Sequence, residues 1–158
     1  MRDCDGKNKM PWIDFGSSTE KKLPPSKGSY ALFLKLVKEQ LIRLPKFGPV
    51  LFPTGIYVYT GSAKGSGGLR ARVSRHIRVE KSKHWHIDWF RPFAEIIGVY
   101  YTISQDSHEC NWAMSLKERS MARVLVHGFG ASDCKQGCGS HLLFINPDVD
   151  LDTIFAVF

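Results

Sequence analysis

The sequence predicts one α/β domain of the α+β type, with strands and helices around a single core. Its 158 residues are enough for one domain of this kind. Short runs rich in aliphatic and aromatic residues recur along the chain, as strands require. Two other stretches have apolar residues at helical spacing or a helix start signal. We find no internal repeat and no low-complexity segment that would indicate another architecture.

The chain begins with a stretch that we expect to lie outside this core. Residues 1–27 mix charged residues, glycine, serine and the pair Pro24-Pro25 without a sustained period, and they predict an extended arm. Cys4 lies in this arm and is given no role. An apolar run over 28–37 predicts the first strand. Residues 39–46 are compatible with a strand or a helical turn, since their periodicity does not decide between the two.

The stretch from 55 to 76 is the one that the rest of the chain is expected to serve. Alternation of aliphatic residues with tyrosines predicts a strand that breaks at Gly61. A loop of small residues follows, and after Leu69 the chain becomes a basic helix. Arg72 and His76 lie four residues apart and therefore project from one face of that helix.

The second half of the chain predicts one more long strand and one more long helix. Residues 84–90 combine aromatic residues with histidine and aspartate, before Pro92 interrupts the structure. The apolar run over 95–104 is the clearest remaining strand. A helix is predicted from a cap at Asp106 to about Leu125, ended by two glycines. The elements that complete the chain are a loop over 132–141, a short strand over 141–145 and a tail over 147–158.

Positive charge favours a polyanionic partner. Lys and Arg number 22 against 15 Asp and Glu, which gives a formal charge of +7 and a pI near 9.3. Nucleic acid is the commonest partner of this kind. A basic protein without such a partner is the alternative, but much of the charge is concentrated between Lys64 and Lys83. The candidate nucleic-acid ligands are Lys64, Arg70, Arg75, Arg78, His84 and His86.

A membrane protein is not predicted. The longest apolar runs, such as 31–34, are much shorter than a bilayer span. Charged residues occupy the N-terminus where a signal peptide needs an apolar segment, so we expect a cytoplasmic protein. In such a reducing compartment the four cysteines are expected to be thiols or metal ligands rather than disulfides.

A phosphate site is outlined by residues 55–76. The strand contributes tyrosine hydroxyls, the loop offers backbone N–H groups at glycines, and the helix brings a guanidinium and an imidazole towards them. The competing interpretation is structural, because Tyr and Arg in a strand–loop–helix unit commonly make ordinary packing and a solvated face. In that interpretation Tyr30 and Tyr59 are half-buried strand aromatics whose hydroxyls find local partners.

Two further groups of residues have the chemistry of ligands. His84, His86 and Asp88 alternate, so in an extended segment they point to one side, where they could contact a metal or phosphate; in a helix only the first and last would. Structural histidines beside tryptophans are the alternative. Near the end of the chain, soft ligands suit zinc, although Cys-x₃-Cys is not the usual spacing. That second group is Cys134, Cys138 and His141, with Cys110, otherwise a small buried apolar residue, as a further candidate.

Two short tyrosine–glycine motifs, Gly28-Ser29-Tyr30 and Tyr59-Thr60-Gly61, precede a helix with Leu69, Arg72 and His76, and Glu109 begins a later helix. This pattern resembles the GIY-YIG endonuclease superfamily. Other motifs are similar to an uncharacterised branch of it, sometimes joined to a DNA-repair glycosylase of the endonuclease III type. Those motifs are Tyr-Val-Tyr-Thr-Gly-Ser-Ala, Arg-His-Ile-Arg, His-Trp-His-Ile-Asp, Glu-Cys, Phe-Gly-Ala-Ser-Asp-Cys and Gly-Ser-His-Leu.

The resemblance implies a fold and an activity. It implies a GIY-YIG nuclease-like domain over 28–146, with a small, mainly antiparallel sheet flanked by helices and the half-motifs on neighbouring antiparallel strands. The implied activity is metal-dependent hydrolysis of phosphodiester bonds in DNA, with DNA repair as the expected setting. The chain departs from the family in a longer gap between the half-motifs and in lacking a clear counterpart of the asparagine that many members carry after the glutamate. Gly55-Ile56-Tyr57 is a literal half-motif, but it lies on the same strand as Tyr59, so Tyr30 is preferred.

The same resemblance implies a role for each site residue. Glu109 holds a divalent cation, Mg²⁺ first and Mn²⁺ as the alternative; its other interpretation is a capping-box partner at the helix start. Arg72 pairs with the scissile phosphate. Tyr30 or Tyr59, with a pKa lowered by arginine and metal, activates water, and the sequence does not choose between them. His76 serves as a second base or a phosphate contact.

Two other function classes stay open at this point. The first is a nucleic-acid-binding module that keeps the fold and the basic face without catalysis. The second is a metal-binding structural or redox protein centred on Cys134, Cys138 and His141, and the loop residues Ser132 and Asp133 either line a cleft beside them or only make the turn.

Overall fold

The structure, a computed structural model, describes residues 12–132 and 134–158. Predictions that fall on residues 1–11, including Cys4, and on Asp133 lie outside the described residues. The described strands are β1 Trp12–Asp14, β2 Gly28–Leu36, β3 Gln40–Leu44, β4 Gly48–Phe52, β5 Gly55–Ala63, β6 Glu95–Ile103, β7 Ala122–Arg123 and β8 Leu142–Ile145. The described helices are α1 Thr19–Lys22, α2 Gly68–Ile77, α3 Ile87–Phe90, a 3₁₀ turn Arg91–Phe93, α4 Glu109–Glu118 and α5 Leu151–Phe155.

Six of these strands form one antiparallel sheet, which confirms the predicted fold class. Its order is β1-β6-β2-β5-β8-β7, and β3 pairs with β4 in a separate two-stranded sheet. The segment 39–46, for which the sequence allowed two interpretations, is therefore a strand over most of its length. Among the described residues, no helix combines the length and apolarity that crossing a bilayer requires.

The two central strands carry the two predicted tyrosines on one face. Tyr30 of β2 lies opposite Gly61 of β5, and Tyr59 of β5 lies opposite Leu32 of β2. Residues two apart in a strand share a face, so both tyrosines project from the same side of the sheet. The predicted placement on neighbouring antiparallel strands is confirmed.

Each face of the sheet packs its own core. One core joins the tyrosine face to α2 and α3 through buried residues such as Leu32, Leu69 and Phe90. The other joins the opposite face to α4 and α5, with Phe33 and Leu116 among its members. This alternation of two apolar faces along β2 explains why the strand is apolar at nearly every position rather than at every second one.

Residues 12–27 correct the prediction of an arm outside the core. Strand β1 pairs with β6, and Ile13 and Leu23 are buried in the core on the tyrosine face. The indole of Trp12 contacts the ring of Phe33 edge-on, with 5.2 Å between centroids. The prolines and charged residues of this stretch pointed away from a strand, and a three-residue edge strand is too short to show a hydrophobic period.

The last third of the chain corrects two further predictions. Helix α4 ends at Glu118 rather than near Leu125, because Ser120 adopts a left-handed conformation with φ of 56° and the chain turns into β7. Asp106 is not its cap, since the N-cap residue is His108 without a side-chain hydrogen bond. The predicted tail contains α5, capped by the Asp150 carboxylate, which accepts a hydrogen bond from the Thr153 backbone N–H.

Candidate active site

A cleft of about 360 Å³ opens at the end of the two central strands. Strand β5 does not break at Gly61, as the sequence predicted, but continues to Ala63 along the floor of this cleft. The surrounding elements are α2, the segment before α3, the first turn of α4 and the loop before β8. The lining includes the predicted residues Tyr30, Tyr59, Arg72, His84, His86, Glu109, Cys134 and His141.

Gly61 lets the Tyr30 side chain lie across β5. A Cβ added at position 61 would lie 2.5 Å from the Cζ of Tyr30, far inside contact distance. The glycine therefore leaves the space that brings the Tyr30 hydroxyl to the cleft, beside the ring of Tyr59 two positions away on the same face.

Arg72 carries the cationic group of the cleft. The guanidinium lies over the Trp85 ring, 4.3 Å from its centroid. Among the described residues it forms no salt bridge. Stacking on the indole orients the guanidinium without neutralising its charge, so its N–H donors stay available to an anion.

Arg75 lies one turn further along α2 and is in a different electrostatic situation. Its guanidinium contacts the same ring at 4.2 Å, but it also donates to both carboxylate oxygens of Asp88 at 3.0 Å. Lys81 adds a second ion pair to Asp88 at 3.3 Å. The Asp88 carboxylate also accepts hydrogen bonds from the backbone N–H groups of His84 and Trp85. Arg72, Arg75, Trp85 and Asp88 form what we call the arginine wall.

The buried Asp88 carboxylate is ionised in this arrangement. Burial alone would raise its pKa, but the hydrogen bonds from Arg75 and the two backbone N–H groups, with the charge of Lys81, hold the pKa well below the usual range. Asp88 is therefore a structural counter-ion rather than a metal or phosphate ligand, and the prediction that it contacts either is corrected.

His76 lies behind the cleft and is bonded to Tyr30. Its Nε2 lies 2.7 Å from the Tyr30 hydroxyl, and both side chains are buried. Burial, with the charge of Lys81, lowers the pKa of His76 to about 3, so the imidazole is neutral at neutral pH. Its Nδ1 has no hydrogen-bond partner among the described residues.

Burial also acts on the tyrosines, against the prediction made from the sequence. It raises the pKa of Tyr30 and of Tyr59 above the ordinary value, and the Arg72 guanidinium only partly opposes this. The Arg72 charge alone therefore does not lower either pKa, because the sequence did not reveal how deeply the two phenols are buried. The predicted lowering by arginine together with a bound metal stays a prediction.

Glu109 enters the cleft from the opposite side. It is the first residue of α4, and its carboxylate accepts a hydrogen bond from the Ser62 hydroxyl of β5. The Thr60 hydroxyl donates to the Glu109 backbone carbonyl at 3.0 Å, which ties the helix start to the same strand. The capping-box alternative is not supported, since the carboxylate bonds across to the sheet rather than back to its own helix.

Soft ligands meet beside Glu109. Cys110, Cys134, Cys138 and His141 place one ligand atom each within 4.8 Å of one another, and the group could hold a metal ion. We call these four residues the cysteine wall. Burial raises the pKa of the Cys110 thiol. Burial also raises the pKa of Cys134, but hydrogen bonds from Cys110 and from the loop backbone outweigh it and lower the value to about 7.

Comparison with known proteins identifies the family of this fold. A family model described as a domain of unknown function, DUF123, matches residues 29–157. The chain belongs to the DUF123 family. Neither a search of curated proteins nor one of solved structures found a match.

The DUF123 domain distributes the other predicted residues unevenly. His84 is exposed at the cleft, and the Nδ1 atom of His86 accepts a hydrogen bond from the Gly130 backbone N–H at 2.9 Å, which links the cleft to the loop on its far side. The remaining predicted nucleic-acid ligands do not line the cleft: Lys64, Arg70 and Arg78 are exposed outside it, and Arg75 is paired with Asp88.

Three residues of the DUF123 cleft were not singled out from the sequence. Trp85 orients Arg72, Ser62 bonds to Glu109, and Thr60 anchors the start of α4. Thr60 and Ser62 alternate with Tyr59 and Gly61 along β5, so they belong to the other face of the strand. The alternation of Thr60 and Ser62 in the sequence could therefore have indicated polar contacts on the other face of β5.

Proposed function

We propose that this DUF123 domain is a GIY-YIG-type, metal-dependent endonuclease that hydrolyses phosphodiester bonds in DNA. The observation that carries the proposal is the convergence of two phenols, a carboxylate and a guanidinium that forms no salt bridge with the described residues, all on one open cleft. These groups come from four separate elements, and ordinary packing gives no reason for them to meet. The proposed catalytic set is Tyr30, Tyr59, Arg72, His76 and Glu109.

Arg72 binds the scissile phosphate in this proposal. Its planar guanidinium suits two-pronged contact with phosphate oxygens, and charge on those oxygens grows during hydrolysis. Pairing of Arg75 and Lys81 with Asp88 supports the assignment, because it leaves Arg72 as the unpaired arginine that lines the cleft. Exposed cations beside the cleft, including Lys64 and Arg78, extend the positive surface along which a polyanion would bind.

Glu109 is the residue suited to hold a divalent cation. Mg²⁺ is commonly held by one or two carboxylates together with water and substrate phosphates, and Glu109 supplies one such carboxylate at the cleft. When bound, the ion polarises phosphate oxygens and offsets their charge. The hydrogen bond from Ser62 fixes one oxygen of the carboxylate and orients the other. The soft ligands of the cysteine wall do not suit magnesium, and zinc is the metal that they favour.

Tyr30 is the better candidate of the two tyrosines to accept a proton from water, as a phenolate whose own proton has first passed to solvent in the cleft. If the Tyr30 hydroxyl donated to His76 Nε2, the imidazole proton would lie on Nδ1, and this buried N–H donor would have no acceptor among the described residues. A buried nitrogen acceptor without a partner costs less free energy than a buried N–H donor without one. We therefore assign the proton of neutral His76 to Nε2, which donates to the Tyr30 oxygen. This hydrogen bond stabilises a phenolate and directs the phenolic proton away from His76. Tyr59, for which the described residues supply no hydrogen-bond partner, is free to donate to a phosphate oxygen.

A non-catalytic nucleic-acid-binding module is the second candidate. The observation in its favour is burial of both phenols, which raises their pKa values and opposes formation of a phenolate at neutral pH. The same cleft would then bind a phosphate through Arg72 without cleaving the backbone.

Cleavage assays with variants test the proposal. Single-stranded, duplex and branched DNA are incubated with the protein in Mg²⁺ or Mn²⁺, and initial rates are compared with those of Arg72→Ala and Glu109→Gln. Each variant is expected to lose about 100-fold or more in rate, because each removes charge stabilisation at the reacting phosphate. The matched control is Arg43→Ala, which removes the same charge from an exposed position on β3 outside the cleft and should keep a rate within a few-fold of the parent.

Two results would decide against the proposal. Equal cleavage by the parent and Arg72→Ala would remove Arg72 from the reaction and indicate a contaminating nuclease. Absence of cleavage with every substrate and metal, together with parent-like DNA binding by Glu109→Gln, would favour the binding module.

A further inference from the structure

The cysteine wall brings four metal-ligand side chains from two distant parts of the chain together. The Sγ atoms of Cys110 and Cys134 lie 3.1 Å apart, and that of Cys138 lies 3.3 Å from each of them. The Nε2 atom of His141 lies 3.3 Å from the Cys110 Sγ. Cys138 is fully buried, and Cys110 and His141 are more than nine-tenths buried. The sequence suggested Cys134, Cys138 and His141 with Cys110 as a further candidate, and the fold brings all four together.

We infer that Cys110, Cys134, Cys138 and His141 bind one structural Zn²⁺ that fastens the loop before β8 to the first turn of α4. Three sulfurs and one imidazole nitrogen form a closed four-ligand set of the kind found in structural zinc sites. With Zn–S distances of about 2.3 Å, tetrahedral ligand sulfurs lie about 3.7 Å apart, so the cluster needs an expansion of only about 0.5 Å. The inference does not depend on the proposed nuclease function.

Zinc accounts for the cluster better than a disulfide does. A disulfide needs about 2.05 Å between sulfurs, well below the distances here, and the cysteines of the cluster are free. One disulfide would also use two of the three sulfurs and leave the third, with His141, unexplained. Oxygen-seeking ions such as Mg²⁺ and Ca²⁺ do not suit this ligand set.

Surrounding contacts fit a zinc site in two ways. The backbone N–H of His141 donates to the Phe129 carbonyl at 2.9 Å, which fixes the backbone that carries this ligand. The Lys117 ammonium donates to the backbone carbonyl of Cys138. Three thiolates and one Zn²⁺ leave a net charge of −1, and Lys117 places a positive charge beside it.

A zinc site would hold the loop between β7 and β8 in one conformation, which helices or strands do not do there. Residues 124–132 and 134–141 contain no helix or strand, and loops of such length are uncommon in compact domains without a special role. Cys110 directly follows Glu109, while Gly130, Ser132 and Cys134 line the cleft. A bound zinc would therefore fix the far side of the cleft and the helix start that carries Glu109.

Zinc analysis of the purified full chain tests the inference. Protein refolded with Zn²⁺ and freed of unbound metal should hold about one Zn²⁺ per chain by elemental analysis, as expected for a closed structural site. Cys4→Ser is the matched control, because Cys4 is not one of the four proposed ligands, and it should hold the same amount. Cys110→Ser and Cys138→Ser should each lower zinc retention at least tenfold when the chain competes with a chelator.

Thiol alkylation of the parent keeps the test independent of whether a variant folds. With zinc bound, mass spectrometry should find Cys110, Cys134 and Cys138 protected; after chelation all three should react. Co²⁺ in place of zinc should give the intense visible bands of tetrahedral thiolate coordination. Absence of stoichiometric zinc in the parent, or three cysteines that react equally with and without it, would overturn the inference. Full zinc retention by Cys110→Ser would remove Cys110 from the ligand set.

Discussion

The two walls of the cleft keep their polar groups in order by different means. In the arginine wall, Asp88 forms ion pairs with Arg75 and Lys81, and Trp85 orients Arg72 without removing its charge. In the cysteine wall, the ligand atoms of all four residues face one another. The first arrangement leaves one group free for a ligand from solution, whereas the second engages all its groups internally. We therefore propose ligand binding for the arginine wall and structural order for the cysteine wall.

Removal of Asp88 should have the largest effect on the comparison. Asp88→Ala leaves two cations and two backbone N–H groups without their partner, and breaking a buried ion pair in this way costs about 3 kcal/mol. Chemical denaturation should show that loss in the free energy of unfolding, with or without a zinc chelator. Asp106→Ala, at an exposed acid, is the control and should be close to the parent. A loss below about 0.5 kcal/mol for Asp88→Ala would mean that the charges of this wall are arranged by other contacts.

Acid should weaken the protein through His76, behind the arginine wall. The folded pKa of about 3 lies below the ordinary value near 6.5, so the unfolded chain binds a proton that the folded chain does not. The stabilisation from this group is complete above pH 6.5 and is lost as the pH falls towards 3. Between pH 6 and 4 it should cost about 1.4 kcal/mol per pH unit.

His76→Gln isolates that contribution to the pH dependence. Denaturation curves at several pH values should give a shallower acid loss for this variant than for the parent, by about one proton. His84→Gln, at an exposed histidine, should leave the parent slope unchanged. Identical slopes for the parent and His76→Gln would contradict the assignment of a neutral buried imidazole.

Substitution of Trp85 should have the smallest effect of these changes. It distinguishes the contribution of the ring face from that of the indole N–H within the arginine wall. Loss of its ring removes a cation–π contact worth about 0.5–1 kcal/mol, so Trp85→Ala should weaken DNA binding by about two- to five-fold. Trp85→Phe keeps an aromatic face under both guanidiniums and should lose less. Fluorescence anisotropy with labelled duplex DNA, without divalent cation, measures both. An equal loss for Phe and Ala would point to the indole N–H rather than the ring face.

Local signals in the sequence were sufficient for the fold of the central strands. Long apolar runs predicted β2 and β6, and the tyrosine alternation predicted β5, because each strand is longer than the pattern needed to recognise it. Short elements escaped: β1 has three residues, and its pairing with β6 depends on contacts from far along the chain. The premature end of α4 at Glu118 escaped for the same reason, since pairing of β7 with β8 outweighs local helix preference.

The candidate site was predictable in its residue types and not in its electrostatics. Helical spacing placed Arg72 and His76 on one face, but it gave no sign that His76 is buried against Tyr30 or that Asp88 neutralises Arg75 rather than Arg72. Burial depth and partner choice are properties of the packed structure, and they set the directions of the pKa shifts. For Cys110 the sequence left open a metal ligand or a small buried apolar residue, and the fold places its sulfur with the other three ligand atoms.

Gly61 determines the position of the Tyr30 ring in the cleft through its size rather than through a polar contact. The phenol ring of Tyr30 fills the volume that any larger residue at 61 would claim. Even alanine at position 61 would displace the Tyr30 ring, and with it the hydroxyl oxygen that is hydrogen-bonded to His76. The substitution would do this without changing any ionisable residue of the cleft. Tyr30 thus extends into the cleft because position 61 on the neighbouring strand has no Cβ atom.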